Sequence, residues 1–513
     1  MLGLLVLSSA ACTVGPDFEQ PATQTRPDWS ARVESPLTSE PVDEGDWWRS
    51  LGDPDLDRLV EQALASNLSL QIAGVRLLEA RAQLGIARGT LWPQRQAAEG
   101  RASLVELSEN ASNLALSDPS FTDYHIGFDA AWELDFWGRI RRGVESADAS
   151  YRASAADSRN AVVAVAAEVA RAYVLLRTFE RRLQLAERNA ALQRDSLRIA
   201  DVRFRNGLVP ELDVTQARSL LKDTEAVVPR LEAGVRQTLN GLATLLGQPP
   251  GSLDGLLDGE RTATIPAPPA RVAVGTPIDL LRRRPDIRRA EFEAAAQSAR
   301  IGVAEAELYP RFTLLGSIGL VTSSGAAASS NGATSGDLFR SSSLTYSVGP
   351  TFSWPILNYG RLRNQVRVEH ARFLQLALRY QQTVLDAARE VEDALVAFLA
   401  EQATALLLEE SVKNAERSVE LALSQYRAGL VNYQAVVDTQ RFLVQQQDRA
   451  VESRGDVVLS LVAAYKALGG GWNRPTDGWP VLSAEIQEAL RRTGSRRVAE
   501  RSAAEVVHGE EPE

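Results

Sequence analysis

The longest regular pattern along the chain is helical, and it occurs twice. Residues 139–207 contain no proline and consist mainly of Ala, Arg, Leu, Glu and Gln, which are good helix formers. Residues 361–428 repeat this composition without proline or glycine. Each stretch ends at a glycine, Gly207 or Gly429, and glycine is the residue that most often follows a helix. A helix of about 68 residues is about 100 Å long, which predicts a coiled coil or a helical barrel rather than a small globular domain.

Four shorter segments change from the helical period to an alternation of apolar and polar residues, which predicts strands with two different faces. The alternation is clear in Tyr124–Phe136, Phe312–Leu320 and Leu344–Trp354, and it is weaker at residues 98–104. A half-buried sheet of a soluble domain would give the same pattern. Aromatic residues at the ends of strands of about ten residues favour an outer-membrane barrel instead.

The two halves of the sequence resemble each other. The segment FRNGLV, which begins at Phe204, recurs as YRAGLV at Tyr426, 222 residues later. Other motifs recur at the same spacing or, further upstream, at a spacing of 217 residues. The chain is therefore predicted to consist of two tandem repeats, residues 53–247 and 276–471, joined by a linker rich in proline and glycine at residues 248–275.

Each repeat is predicted to combine long helices with one hairpin, at about residues 95–137 in the first repeat and 311–355 in the second. The four strands of one chain cannot close a barrel, and an open edge is not tolerated in a bilayer. Two chains would supply about eight strands, whose interior is filled by side chains, whereas three chains supply about twelve and leave a lumen. The predicted fold is a membrane α+β fold. It is a trimeric twelve-stranded outer-membrane β-barrel with four strands per chain, continued by a long α-helical periplasmic barrel.

The N-terminus has features of an export signal. Residues 1–11 hold an apolar run that ends in small residues, but no basic residue precedes it, which predicts a weak or truncated signal peptide. Cys12 follows directly and resembles the acylated residue of a bacterial lipobox, with Ser9 where leucine is usual. We therefore expect a covalent lipid such as palmitate on Cys12, the alternative being an inert cysteine in a disordered leader. An extended segment is predicted for residues 12–52 and a tail for residues 472–513.

The amino-acid composition argues against several classes of protein. One cysteine and three histidines exclude a disulfide framework and a zinc site built on cysteine, and no metal is expected. A net charge of −10 without a basic stretch argues against nucleic acid as a partner. No catalytic or phosphate-binding motif occurs in the sequence, so we expect neither an enzyme nor a cofactor. No segment after residue 11 has the roughly 18 consecutive apolar residues of a transmembrane helix.

Four motifs, in this order along the chain, resemble those of one known family. They are Cys12–Phe18, Trp47-Trp48, Leu281–Arg288 and Tyr465–Trp472. They are similar to the motifs of the outer-membrane factor family, and within it to the OprM/NodT branch of TolC-like lipoproteins. The resemblance implies a homotrimer in the Gram-negative outer membrane, with helices in the periplasm. It also implies a passive conduit of multidrug efflux, which receives small toxic compounds through a periplasmic membrane-fusion adaptor. The inner-membrane pump behind that adaptor is commonly of the resistance-nodulation-division type.

The resemblance also implies where the periplasmic end of such a channel closes. Residues 433–441 match the family's constriction motif, which implies that Asp438 forms an acidic ring of three and that Arg441 takes part in gating contacts. Gln434 stands where the family often has leucine, which argues against a tight apolar plug. Without the resemblance, Asp438 is a carboxylate favoured by a nearby helix N-terminus, and Arg441 is a solvated helix residue.

Acidic residues also fall on the polar face of a predicted strand. Asp129, Glu133 and Asp135 alternate with apolar residues and would face the lumen, which predicts a channel that prefers cations. Two rival functions would use a similar sequence. One is the outer-membrane conduit of a type I protein-secretion system, against which the motif at residues 284–286 argues. The other is a soluble coiled-coil scaffold with a small accessory sheet. Apart from the resemblance, we interpret residues 282–286 as structural ion pairs at a helix start.

Overall fold

The structure, a computed structural model of one chain, describes most of the sequence. The described residues are 13–23, 26–30, 36–38, 40, 45–108, 120–256, 264–278, 283–324, 334–472 and 482–492. The helices are α1 (Pro54–Ser66), α2 (Leu68–Gly89), α3 (Arg139–Arg205), α4 (Glu211–Glu225), α5 (Val228–Leu245), α6 (Pro285–Ala306), α7 (Arg361–Arg427), α8 (Tyr433–Ala467) and α9 (Ala484–Arg492). The strands are β1 (Leu37–Thr38), β2 (Arg95–Glu106), β3 (Ser120–Leu134), β4 (Val272–Ala273), β5 (Arg311–Ser324) and β6 (Leu344–Ser353).

The two long helices that the sequence predicts are present as α3 and α7. Each has 67 residues, and the glycines that follow them, Gly207 and Gly429, have φ values of 69° and 76°. This left-handed conformation is strained for residues with a Cβ, which explains why a glycine ends each helix. Within the described residues, no helix combines the length and the apolar character that crossing a bilayer requires.

The helices that follow α3 and α7 differ between the two halves. In the first half α4 and α5 are separate, and Pro229 lies in the first turn of α5, where its missing N–H costs little. The break between the two helices thus coincides with this proline. In the second half α8 continues over 35 residues without interruption.

The chain packs as two compact units, which we call the sheet unit and the helical unit. The sheet unit comprises Met1–Pro21, Leu78–Ala153 and Ala290–Tyr380, and the helical unit comprises Ala22–Leu77, Ser154–Arg289 and Gln381–Glu513. Each unit contains residues of both predicted repeats. In the sheet unit, strands of the first half pair with strands of the second. In the helical unit a small parallel pairing of β1 with β4 ties the N-terminal segment to the linker.

One antiparallel sheet of four strands dominates the sheet unit, in the order β2-β3-β5-β6. The central pair joins the two halves of the chain, with Phe128 opposite Ile318 and Asp129 opposite Ser317. All four predicted strands are present, and β2 is longer than the segment predicted at residues 98–104.

The helical unit has a core of its own. Trp48, Tyr173 and Phe398 are fully buried in one cluster of apolar side chains. Trp47 stacks on Tyr465 of α8, with 5.1 Å between ring centroids. This stacking holds the segment before α1 against the end of α8, and it accounts for the tryptophan pair noted in the sequence.

Arg284 forms the ion pairs predicted for the arginine-rich motif before α6. Its guanidinium donates to the carboxylates of Asp286 and Glu390, at 2.6 and 2.8 Å, and to the carbonyl oxygen of Ala467, at 2.7 Å. Ala467 is the last residue of α8, so the arginine caps the C-terminus of that helix. The prediction is confirmed for Arg284, whereas Arg282 lies outside the described residues.

Candidate functional site

One face of the four-stranded sheet is apolar and exposed. Phe128, Ile318 and Tyr346 form one row across three strands, and 63%, 56% and 75% of their surfaces are exposed. Further apolar side chains on this face are Leu104, Ile126, Trp132, Leu314, Leu344, Val348 and Phe352. An exposed apolar area of this kind marks a surface that meets a membrane or another protein.

The opposite face of the sheet carries polar side chains, and several of its charges are paired. The carboxylate of Glu133 accepts two hydrogen bonds from Arg139, at 2.9 and 2.8 Å. Asp123 lies 3.4 Å from Arg101 on the neighbouring strand. Asp129 has no ion-pair partner among the described residues and is half-buried.

Asp135 lies one residue beyond the end of β3, not within the strand as the alternation predicted. Its carboxylate accepts hydrogen bonds from the backbone N–H groups of Ile140 and Arg141, at 3.0 and 2.8 Å. The Arg141 side chain is also 3.3 Å from it. Asp135 therefore satisfies the free donors at the N-terminus of α3, and a role in a lumen stays a prediction for it.

Tryptophan side chains gather at the end of the sheet where strands meet helices. Trp132 and Trp354 each donate the indole N–H to a backbone carbonyl, at 3.3 and 3.0 Å. Trp137 stacks on Tyr309, with 4.6 Å between ring centroids. An aromatic body with one polar group suits the boundary between membrane and water.

The first described residues lie against this same end of the sheet. The backbone N–H of Val14 donates to the carbonyl of Trp137 at 3.0 Å. The buried Arg142 donates to the carbonyl of Val14 at 3.2 Å and to the carboxylate of Asp17 at 2.8 Å. The segment that follows Cys12 is thus fixed in place. Cys12 itself lies outside the described residues, so its acylation stays a prediction.

The ends of α3 and α7 meet in a cluster that the sequence did not predict, which we call the turn cluster. The hydroxyl of Tyr426 donates to the buried carboxylate of Asp213 at 3.0 Å. Arg203 donates to the carbonyl of Tyr426 and lies over its ring, 4.7 Å from the centroid. The ring of Tyr433 packs edge-on against Tyr426 at 5.1 Å.

The two tyrosines of the turn cluster stay neutral across the physiological range. Burial raises the pKa of Tyr426, and its hydrogen bond to Asp213 raises the pKa further, since an ionised phenolate would face a carboxylate. Burial raises the pKa of Tyr433 to about 12. Both hydroxyls therefore remain protonated, and that of Tyr426 remains a hydrogen-bond donor to Asp213.

Two of the three residues predicted for the constriction lie together at the start of α8. The amide of Gln434 donates to the carboxylate of Asp438 at 2.8 Å, and its oxygen accepts from Gln216 of α4 at 2.8 Å. Arg441, also exposed, has no ion pair with Asp438 within the described part of the chain. It lies instead at a cavity of about 340 Å³ beside the break between α4 and α5. The structure thus joins Gln434 with Asp438 but leaves Arg441 apart, and their role in gating stays a prediction.

Metal ligands do not cluster in the part of the chain that the structure describes: it contains no group of three or more His, Cys, Asp or Glu side chains able to hold an ion. The groups described above interact through hydrogen bonds, ion pairs and packing.

The chain matches a known family over two stretches. Residues 59–248 and 277–470 match the family described as outer membrane efflux protein. Nodulation protein T of Rhizobium leguminosarum bv. trifolii is 31% identical over 474 residues, which are 90% of this chain and 95% of that protein. The pyoverdine export outer membrane protein OpmQ of Pseudomonas aeruginosa is 32% identical over 443 residues, which are 86% of this chain and 90% of that protein.

The likeness extends to a solved structure. The outer-membrane channel OprN has 31% sequence identity and a TM-score of 0.82, with 90% of this chain and 100% of that chain covered. The fold is thus that of the outer-membrane efflux channels. The comparisons confirm the prediction of an outer-membrane efflux channel that is not an enzyme. The chain belongs to the outer membrane efflux protein family, in its OprM/NodT branch.

Proposed function

We propose that this chain is the passive outer-membrane conduit of a tripartite efflux system and exports small toxic compounds to the cell exterior. The two-faced sheet carries the proposal. Its exposed apolar face, with Phe128 and Tyr346, suits lipid, and its polar face, with Asp129, suits a water-filled lumen. The description of OpmQ as a pyoverdine exporter supports a small molecule as the cargo.

Three chains would close one barrel of twelve strands. Within the described chain, β2 and β6 each pair on one side only, and they present edges of 12 and 10 residues. Unpaired edge groups find no water in a bilayer, so β6 of one chain would pair with β2 of the next until the ring closes. Two separate matches to one family support the division into tandem repeats, residues 53–247 and 276–471.

Asp129 would give the lumen of this barrel its preference for cations. Glu133 and Asp135 lie beside arginines, which offset their charges. Asp129 is the member of the predicted acidic set that has no such neighbour among the described residues. Three copies would form a ring of uncompensated carboxylates around the lumen.

The partners would be a periplasmic membrane-fusion adaptor and an inner-membrane pump, of the resistance-nodulation-division type. Helices of the chain would extend into the periplasm. Deletion of the gene should raise cellular accumulation of a fluorescent cationic dye, and the wild-type gene should restore its efflux. Normal dye efflux together with loss of a large secreted protein would support a type I secretion conduit instead.

The constriction would lie at Gln434, Asp438 and Arg441, next to the turn cluster. The hydrogen bond from Gln434 keeps the Asp438 carboxylate in a fixed position at the start of α8, which supports a ring of three charges. Asp438→Ala combined with Arg441→Ala should increase single-channel conductance in planar bilayers.

A matched control for this pair is Asp195→Ala combined with Arg198→Ala. These two exposed residues have the same spacing on α3, and they pair at 3.2 Å. Conductance should stay unchanged in the control. An equal conductance of both double variants and the wild type would mean that Asp438 does not line the constriction.

Cys12 would carry a covalent lipid as a second membrane anchor. Support comes from Val14, which is fixed beside Trp137 at the aromatic end of the sheet, close to the level where an acyl chain would enter the membrane. Cys12→Ser should abolish metabolic labelling with palmitate and leave the trimer assembled. Continued labelling would contradict the proposed anchor.

A further inference from the structure

A cavity of about 710 Å³ lies in the helical unit, between the linker and three helices. Linker residues 264–268 form one wall, and α3, α7 and α8 form the others. Its volume falls within the range of about 300–1,000 Å³ that is typical of small-molecule sites. None of the functions proposed above makes use of it.

The walls of this cavity are largely apolar and stiff. Ala405, Val451 and Val457 line it and are themselves buried, so the cavity reaches down to the core of the unit. On the linker side, Pro266 and Pro268 fix the backbone torsion φ and leave the wall little freedom to collapse inward. The cavity therefore offers preformed apolar surface, which keeps the entropic cost of binding low.

Among the described residues that line the cavity, one arginine has no acidic partner. Arg454 is held by Glu409, with hydrogen-bond distances of 2.8 and 2.7 Å, and this pair is neutral overall. Arg181 donates only to the neutral amide of Gln184, at 3.3 Å, and has no carboxylate partner among the described residues. A partly exposed arginine that lines an apolar cavity favours an anionic group on the ligand.

We propose that this cavity binds an amphipathic organic anion, whose apolar body lies against Val451 and Val457 and whose carboxylate or sulfonate pairs with Arg181. Such a ligand would bridge the linker with α3, α7 and α8. The ligand would therefore raise the thermal stability of the helical unit, because it binds the folded chain and not the unfolded one. This site is independent of the proposed conduit function.

The test is calorimetric titration of the full-length protein in a nonionic detergent, with detergent alone as the blank. The probe is 8-anilinonaphthalene-1-sulfonate, and the neutral comparison is 1-anilinonaphthalene. Arg181→Gln should weaken saturable binding of the sulfonate at least tenfold, without changing the weak binding of the neutral compound. Arg198→Gln, an exposed arginine on the same helix, should change neither.

A second variant tests the location of the site rather than its charge. Ala405→Trp fills the cavity and should abolish the binding of both compounds and the rise in melting temperature. If this variant does not assemble, the comparison of Arg181→Gln with Arg198→Gln still tests whether the cavity binds the anion. The proposal is overturned by absence of saturable binding to the wild type, by equal affinity for the sulfonate and its neutral analogue, or by equal effects of the two arginine variants.

Discussion

The helical unit buries many of its aromatic side chains, whereas one face of the sheet exposes them. In the helical unit Trp48, Tyr173 and Phe398 are completely buried within the chain. In the sheet unit Phe128 and Tyr346 are mostly exposed on one face of the sheet. Burial of apolar surface drives folding in water, so the helical unit is built for water, whereas this face of the sheet is built for a different environment. One chain thus combines a unit suited to water with a sheet face suited to an apolar environment.

The same contrast holds for polar groups. Along the contact of α3 with α8, neutral side chains pair inside the helical unit, as Asn189 does with Gln447 and Ser196 with Gln440, both at 2.9 Å. On the sheet the charged side chains lie instead on the accessible polar face. Buried polar groups, whether neutral or charged, are tolerated when a partner satisfies them, as Tyr426 satisfies the buried carboxylate of Asp213.

The largest expected effect would come from opening the core of the helical unit. Phe398→Ala should lower the free energy of unfolding by about 3–5 kcal/mol, because it leaves a cavity in a closely packed cluster. Thermal unfolding followed by far-ultraviolet circular dichroism measures the loss. Phe442→Ala removes the same atoms from a half-exposed position on α8 and should cost much less. Equal losses would show that burial within one chain does not set the stability of this unit.

A charge on the apolar face of the sheet should have the next largest effect. Phe128→Lys places an ammonium where we propose lipid, at a cost of about 2–4 kcal/mol for each chain. The measurement is the fraction of protein recovered as trimer from the outer membrane. Ser317→Lys, on the opposite face beside Asp129, should assemble normally. Normal assembly of the Phe128 variant would remove the basis for a membrane-facing sheet.

Loss of one tyrosine hydroxyl should have a different effect in each of the two units. Tyr426→Phe leaves the buried Asp213 without its hydrogen bond and should cost about 1–3 kcal/mol. It should also raise single-channel conductance, because the turn cluster that loosens lies next to the proposed constriction. Tyr346→Phe removes a hydroxyl from an exposed side chain of the sheet and should leave both quantities unchanged. Identical melting temperatures for the two variants would contradict a stabilising role of the turn cluster.

The smallest expected effect concerns ion preference. Asp129→Asn should lower the permeability ratio of cations to anions about twofold, since it removes one charge per chain from the proposed lumen. The reversal potential under a salt gradient measures this ratio. Glu133→Gln combined with Arg139→Gln removes a neutral pair and should leave the ratio unchanged. A larger change in that control would mean that Asp129 does not dominate the field.

The sequence predicts the elements of this fold better than their contacts. Periodicity is a local property, so α3, α7 and the strands were predicted close to their observed bounds. Prediction from periodicity fails at Asp135. The alternation that marks the strand continues into this residue, which caps the next helix instead. The alternation also does not reveal which charged side chains form ion pairs. The pair of Glu133 with Arg139 shows that such contacts decide which carboxylate stays uncompensated.

The turn cluster could not be predicted for a different reason. Tyr426 and Asp213 are 213 residues apart, and no local pattern connects them. Their repeat-related positions offered a signal, since YRAGLV aligns with the segment FRNGLV that precedes Asp213. Equivalent turns of two repeats are natural candidates for mutual contact, but the hydrogen bond itself depends on tertiary packing.

The two edges of the sheet have a genetic consequence. In the proposed trimer each chain meets one neighbour through β2 and the other through β6. A chain with one edge blocked still joins a neighbour through the other edge, so it enters mixed assemblies and spoils them. With equal expression of both alleles, only about one-eighth of all trimers would be wholly wild type. Alleles altered at an edge strand should therefore be dominant over the wild-type copy, whereas alleles that unfold the helical core should be recessive.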